Sequence, residues 1–332
     1  MSKIILKILL LLFLLLLSTC SNKNEEISEP KINILDEDNS YWAIAYSGYR
    51  KGQNPQEKIY PTQDQIKEDL EIIEQNWNLI RTYGADQHAY DILQVIKNEK
   101  LNIKVMLGIW LDGEPEYIED NKNQIAYGTE LANEYKDIVI AINVGNESQV
   151  HWSDHKVPSQ NLVSYIKEVQ SKVNVPVTTA DTWDYWTNLE KSQDVINAVD
   201  FLAVHIYPMW GGVDIDNAFN STSEVYNKIV STIPNKKIII SEAGWASYTV
   251  GELHAPKAGS EEKQMIYYDQ LKKWADENKI TVFWFEAFDE PWKGIGTEGH
   301  WGLFSESRNA KKAMHELYPK LKTEEPTSPS YE

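Results

Sequence analysis

Eight short runs of apolar, β-branched or aromatic residues recur through the body of this chain, at 42–46, 78–83, 103–111, 138–145, 175–180, 199–207, 237–241 and 280–288. Most are separated by stretches in which apolar residues return at helical spacing. Buried strands alternating with helices leave few ways to cover every apolar face, and eight of them predict an α/β protein, a (β/α)8 TIM barrel. A length of 332 residues suits one such barrel with short appendages. Two helices are legible in detail. After Pro61, Thr62 stands as an N-cap and Ile66, Leu70 and Ile73 share a face; residues 260–278 do the same with Met265, Tyr268, Leu271 and Trp274.

The ends differ from the body. Residues 1–17 place Lys3 and Lys7 around the start of a nearly pure leucine run, the charged and apolar regions of a secretory signal, too short for a typical membrane-spanning helix. The one cysteine follows in Leu17-Ser18-Thr19-Cys20, which resembles a bacterial lipobox with Thr19 where Gly, Ala or Ser is usual. The sequence therefore reads as a lipoprotein signal peptide at 1–19, lipidation at Cys20, an acidic tether at 20–38, the barrel at 39–322 and a disordered tail at 323–332. That reading implies an exported lipoprotein of the bacterial cell envelope, at the outer membrane and with the cell surface as one destination. With no second cysteine, no internal disulfide supports the fold. A net charge of −18 disfavours nucleic acid as a partner. A monomer is expected.

Two of the eight runs end on a glutamate: Asn146-Glu147 closes the fourth, and Glu242-Ala243-Gly244-Trp245 closes the seventh. Barrel enzymes build their sites at the carboxyl ends of the strands, and strands four and seven lie across the mouth from each other, so the two carboxyls can converge. Such a pair suits cleavage of a glycosidic bond, one carboxyl protonating the leaving oxygen while the other attacks the sugar carbon. A separation of roughly 5–5.5 Å would give retention of configuration. Either glutamate alone could equally cap a following helix; two together favour the paired site. Of the twelve tryptophans, Trp110, Trp183, Trp186, Trp210, Trp245, Trp292 and Trp301 fall just past strand ends, where flat aromatic faces would stack on sugar rings. Trp42, Trp77 and Trp274 are assigned to packing.

Taken together, the segments Ile80-Arg-Thr-Tyr-Gly84, Val144-Gly-Asn-Glu147, His205-Ile-Tyr207, Ile240-Ser-Glu-Ala-Gly-Trp245 and Phe285-Glu-Ala-Phe-Asp-Glu-Pro-Trp-Lys293, followed by Glu298 and Trp301-Gly-Leu-Phe304, resemble glycoside hydrolase family 17. That family comprises β-1,3-glucanases and related glucanosyltransferases on a retaining (β/α)8 barrel. The resemblance implies that Glu147 is the acid/base and Glu242 the nucleophile. It implies that Asn146 meets the sugar 2-hydroxyl, that Tyr207 and Arg81 hold Glu242, and that Tyr46, Tyr83, Trp245, Glu290, Lys293 and Glu298 contribute to substrate binding. The implied partner is a β-glucan polysaccharide or oligosaccharide, with no cofactor.

Other readings compete. Glu147, His151 and His155, four apart on an expected helix from Ser148 to about His155, form a stripe that could bind zinc, yet Pro158 ends the helix and no fourth ligand is evident; the expectation is no metal. His205 is expected to be a hydrogen bonder at the mouth. The site could serve a glucanosyltransferase, and the barrel could be a non-catalytic surface glycan-binding lipoprotein. Paired carboxylates argue for the enzyme.

Overall fold

The computed structural model describes residues 32–249 and 258–322. Eight parallel strands close into a barrel in chain order: β1 (Trp42–Ala45), β2 (Leu79–Arg81), β3 (Lys104–Ile109), β4 (Val139–Asn146), β5 (Val177–Thr182), β6 (Leu202–His205), β7 (Ile238–Ala243) and β8 (Val282–Trp284). Closure is direct, with Trp42, Ala43 and Ile44 of β1 in register with Val282, Phe283 and Trp284 of β8. The strands are buried almost throughout, as parallel strands covered on both faces must be. The chain is thus a (β/α)8 barrel.

The covering helices are α1 (Gln63–Ile73), α2 (Gln87–Glu99), α3 (Ile118–Glu134), α4 (Ser159–Gln170), the pair α5 (Trp183–Thr187) and α6 (Leu189–Ala198), α7 (Ile215–Thr232) and α8 (Glu261–Asn278). Thr62 opens α1 with a reciprocal capping box: its side chain accepts from Gln65 N at 3.3 Å, and Gln65 Oε1 accepts from Thr62 N at 2.9 Å. Ser260 caps α8. The buried face of α8 is Gln264, Tyr267, Tyr268, Leu271 and Ala275, a slight rotation from the expected one that leaves Met265 and Trp274 half-buried. Among the described residues no helix is long and apolar enough to cross a membrane.

Where an eighth outer helix would follow β8, the described residues form 3₁₀ turns at Pro291–Lys293, Thr297–Gly299 and Lys312–Met314. The last segment is pinned to the start of the barrel. Buried Asp69 on α1 accepts two hydrogen bonds from Arg308, at 2.7 and 2.6 Å, and one from Arg50 at 2.9 Å. Ahead of β1, Ile34 is buried and the Asp36 carbonyl accepts from Lys237 Nζ at 2.9 Å, so residues from Asn33 onward already belong to the barrel unit. The barrel unit therefore begins before the expected residue 39. The expected signal peptide, Cys20 and the tail at 323–332 lie outside the described residues.

Candidate active site

Strand β4 does not stop cleanly. Gly145 takes φ of +79° and Glu147 φ of +47°, a left-handed step that costs a non-glycine residue roughly 1–2 kcal/mol. It is held by Glu147 N donating to the Ala180 carbonyl of β5 at 2.8 Å. Glu242 lies within β7, nearly enclosed. Between the two sits His205 at the end of β6, and one ligand atom from each of the three side chains lies within 4.8 Å of the others.

Period-two alternation explains what surrounds Glu242, because Arg81 with Tyr83 and His205 with Tyr207 are pairs two residues apart that face the same way. Arg81 Nη1 donates to Glu242 Oε1 at 2.6 Å, Tyr83 donates to the same oxygen at 3.0 Å, and Tyr207 donates to Oε2 at 2.7 Å. Burial alone would push the Glu242 carboxyl up. The fields of His205 and Arg81 and the two tyrosine hydrogen bonds outweigh it, and the carboxyl is held below its ordinary value. Arg81 is fully buried, so it reaches Glu242 and Asn146 Oδ1 (2.5 Å) from behind and cannot itself touch a sugar.

Glu147 is more open, its side chain 25% exposed. Its Oε1 meets His205 Nδ1 at 2.7 Å, and His205 Nε2 stands 3.3 Å from Arg81 Nη1. The two Nη1 protons of Arg81 already meet Glu242 Oε1 and Ser241 O, and His205 Nε2 also lies 3.4 Å from Glu242 Oε1, so the imidazole bridges the two carboxylates, with Nδ1–H donating to Glu147. Behind this pair, the buried Asp181 carboxyl on β5 accepts from Gln149 N and Thr182 N. Burial is the main cause that pushes it up to about 8; the neighbouring Glu147 adds to the rise, and the two backbone hydrogen bonds oppose it.

On the strand 8 side, Lys293 Nζ bridges Glu286 (3.0 Å) and Glu290 (2.7 Å) and lies over the Phe285 ring at 4.7 Å. Glu290 Oε1 also faces Tyr49 N at 3.4 Å. Burial first, and then the charge of Glu290, push the Glu286 carboxyl well up. Glu286 was not singled out from the sequence, although it stands inside the strand 8 motif; the flanking Glu290 and Lys293 were the available signal. Glu298 lies exposed on a 3₁₀ turn.

Several expected sugar contacts are moved elsewhere. Tyr46 is buried, with its hydroxyl on Asp69 at 3.2 Å and its ring against Phe288, so it packs under β1. Trp245 is fully buried against Tyr267 of α8, its Nε1 donating to Ala258 O at 2.9 Å. Parity accounts for this: three residues beyond inward-facing Glu242, it points outward. Trp186 is also fully buried, donating to Ala203 O at 3.0 Å. Trp183 packs outward under Lys228 of α7 at 4.7 Å. Trp301 is fully buried as well, 5.1 Å from Tyr207, and half-buried Trp210 packs 5.5 Å from it. Trp292 lies by Tyr49, and Trp110 against His155 at 4.6 Å.

The expected helix from Ser148 to His155 is absent. Gln149 N is captured by Asp181, Val157 N donates back to Ser148 O at 3.2 Å, and His155 Nε2 meets Asn146 O at 2.8 Å, so these groups serve a closed loop instead of a helical ladder. The zinc stripe of Glu147, His151 and His155 goes with it. The described group with metal-like spacing is Glu147, His205 and Glu242. Arg81 lies 2.6 Å from Glu242 and 3.3 Å from His205, so a second cation there would meet like charge at close range.

A family model for the BtgE/BtgC glycoside hydrolase domain matches residues 43–302. The chain belongs to this glycoside hydrolase family. It is 32% identical over 280 residues to the btgC protein of Aspergillus niger, covering 76% of this chain. The chain spans only about 40% of the length of that curated relative. Among solved structures it is similar to an endo-laminarinase from Formosa, at TM-score 0.75 and 29% identity, over 84% of this chain and 87% of that one. It is also similar to the family 17 β-1,3-glucanosyltransferase of Rhizomucor miehei, at TM-score 0.69 and 28% identity, over 82% and 96% of the two chains; an active-site mutant of that transferase was solved with laminaritriose.

Proposed function

We propose that this glycoside hydrolase cleaves β-1,3-glucan of the laminarin type, endo-acting and with retention of configuration. The observation that carries the reading is the approach of the Glu147 and Glu242 carboxyls to within 4.8 Å at the ends of β4 and β7, near the roughly 5–5.5 Å typical of double displacement. A Glu242 oxygen attacks the anomeric carbon while the bond to the leaving sugar breaks and Glu147 gives that oxygen its proton. Glu147 then takes a proton from water, whose oxygen displaces Glu242. The depressed Glu242 carboxyl suits a nucleophile that must stay ionised. His205 engages Glu147 Oε1, which leaves the other oxygen for the transferred proton. In this reading Asn146, fixed by Arg81, meets the 2-hydroxyl and Lys293 and Glu298 meet other hydroxyls, while buried Glu290 holds Lys293 from below.

Similarity to an endo-laminarinase supports the substrate and mode of attack. Similarity to a glucanosyltransferase supports a second reading on the same site, in which a sugar hydroxyl replaces water. The test is the time course of products from laminarin with the wild type and Glu242→Gln. Shorter oligosaccharides from the wild type alone support the hydrolase, chains longer than the substrate make it a transferase, and no product from either removes the reading. We further propose that the protein works as a monomer, exported and lipidated at Cys20 in the outer membrane; incorporation of radiolabelled palmitate that persists in Cys20→Ala would sink the anchor.

A further inference from the structure

Resting on the β-1,3-glucan reading, we propose that the loops after β3 and β4 form the leaving-group half of the groove, with Trp152 as its principal sugar-stacking face. The two loops are packed as one wall. Glu114 N donates to Lys156 O at 3.0 Å, and a Cβ on Gly113 would come within 3.1 Å of Asp154 O. The legs of the β4 loop are tied together by Gln149 Nε2 donating to Val157 O at 2.7 Å and by Lys156 Nζ donating to His151 O at 2.6 Å.

On this firmly held wall stand two exposed aromatic side chains. Trp152 is 53% exposed, its ring meeting His151 edge-on at 4.7 Å, and Tyr117 is 45% exposed. An indole face held in water by a well-anchored loop beside the proposed acid is available to stack on a sugar ring. Trp152 is five residues beyond Glu147, so the chain holds it within about 18 Å of the acid. The acid delivers its proton to the departing sugar, so the groove beside its loop receives the leaving chain and, in transfer, the acceptor. Glucan rings with apolar C–H faces fit a flat indole.

The test compares Trp152→Ala, Trp152→Tyr and Tyr117→Ala on laminarin and on a nitrophenyl β-laminaribioside, whose leaving group is not a sugar. Trp152→Ala is expected to lower kcat/KM on laminarin about tenfold and Tyr117→Ala about threefold, with Trp152→Tyr largely restored. Activity on the aryl substrate stays within about twofold, and the share of transfer products falls in Trp152→Ala. Equal losses on both substrates, or no loss on either, overturn the assignment. A wild type inert on both substrates takes down the underlying reading as well, and is distinguished because the failure precedes any substitution.

Discussion

The two carboxyls proposed as the catalytic pair sit in opposite surroundings. Glu242 is nearly enclosed and receives one arginine and two tyrosine hydrogen bonds from the ends of β2 and β6. Glu147 stands at a left-handed step beyond its strand, more open, with His205 at one oxygen and a loop beside it. The contrast suits the chemistry proposed for each. A nucleophile gains from rigidity and a fixed charge state, whereas an acid/base must exchange protons with leaving groups and water.

The most severe way to probe the contrast is Glu242→Gln, which is expected to reduce kcat on every substrate by on the order of 10⁴-fold or more. Glu147→Gln should cost about 10²–10⁴-fold on laminarin but far less on the nitrophenyl glycoside, whose departure needs little protonation; equal losses on both would place the acid elsewhere. Arg81→Met should lower kcat/KM about 10²-fold, and it carries a pH signature. Glu242 must be ionised, and its carboxyl lies below the ordinary 4.5, so the acid limb of the wild-type profile lies below pH 4.5. Without Arg81 that limb moves upward; an unmoved limb would remove Arg81 from the charge control. The smallest effect is expected for Trp245→Phe: about 1–2 kcal/mol of stability by thermal melt, with KM unchanged, because its ring faces α8.

Much of this was legible in the sequence where the signal is local. The strand runs, the Thr62 and Ser260 caps and the two terminal glutamates each appear in a few consecutive residues, and their placement follows from barrel geometry. Arg81 and Tyr207 reach Glu242 as the family resemblance implies, whereas Tyr83 was expected on the substrate and His205 only at the mouth, although parity from each strand end brings all four together. What could not be read depends on partners far along the chain. The loop after Glu147 looked helical because nothing nearby shows that Asp181 would capture Gln149 N. Abundant tryptophan looked like a rim because aromatic content carries no facing. Counting residues from Glu242 would have turned Trp245 outward; Trp186, on a short helix, offers no such count.

The Asp69–Arg308 pin bears on where this barrel can be trimmed. The family match stops at residue 302, yet Arg308, Met314 and Tyr318 are buried beyond it, and the Tyr318 hydroxyl donates to Ile72 O at 2.7 Å. A fragment cut at the family boundary would strand Asp69, leaving Arg50 as its one charged partner and uncovering Trp77, which stacks on Tyr318. Losing one partner of a buried pair costs about 3–5 kcal/mol, a large part of a typical domain's stability. The smallest autonomous unit therefore reaches to about residue 322, and fusions or immobilising tags belong after it.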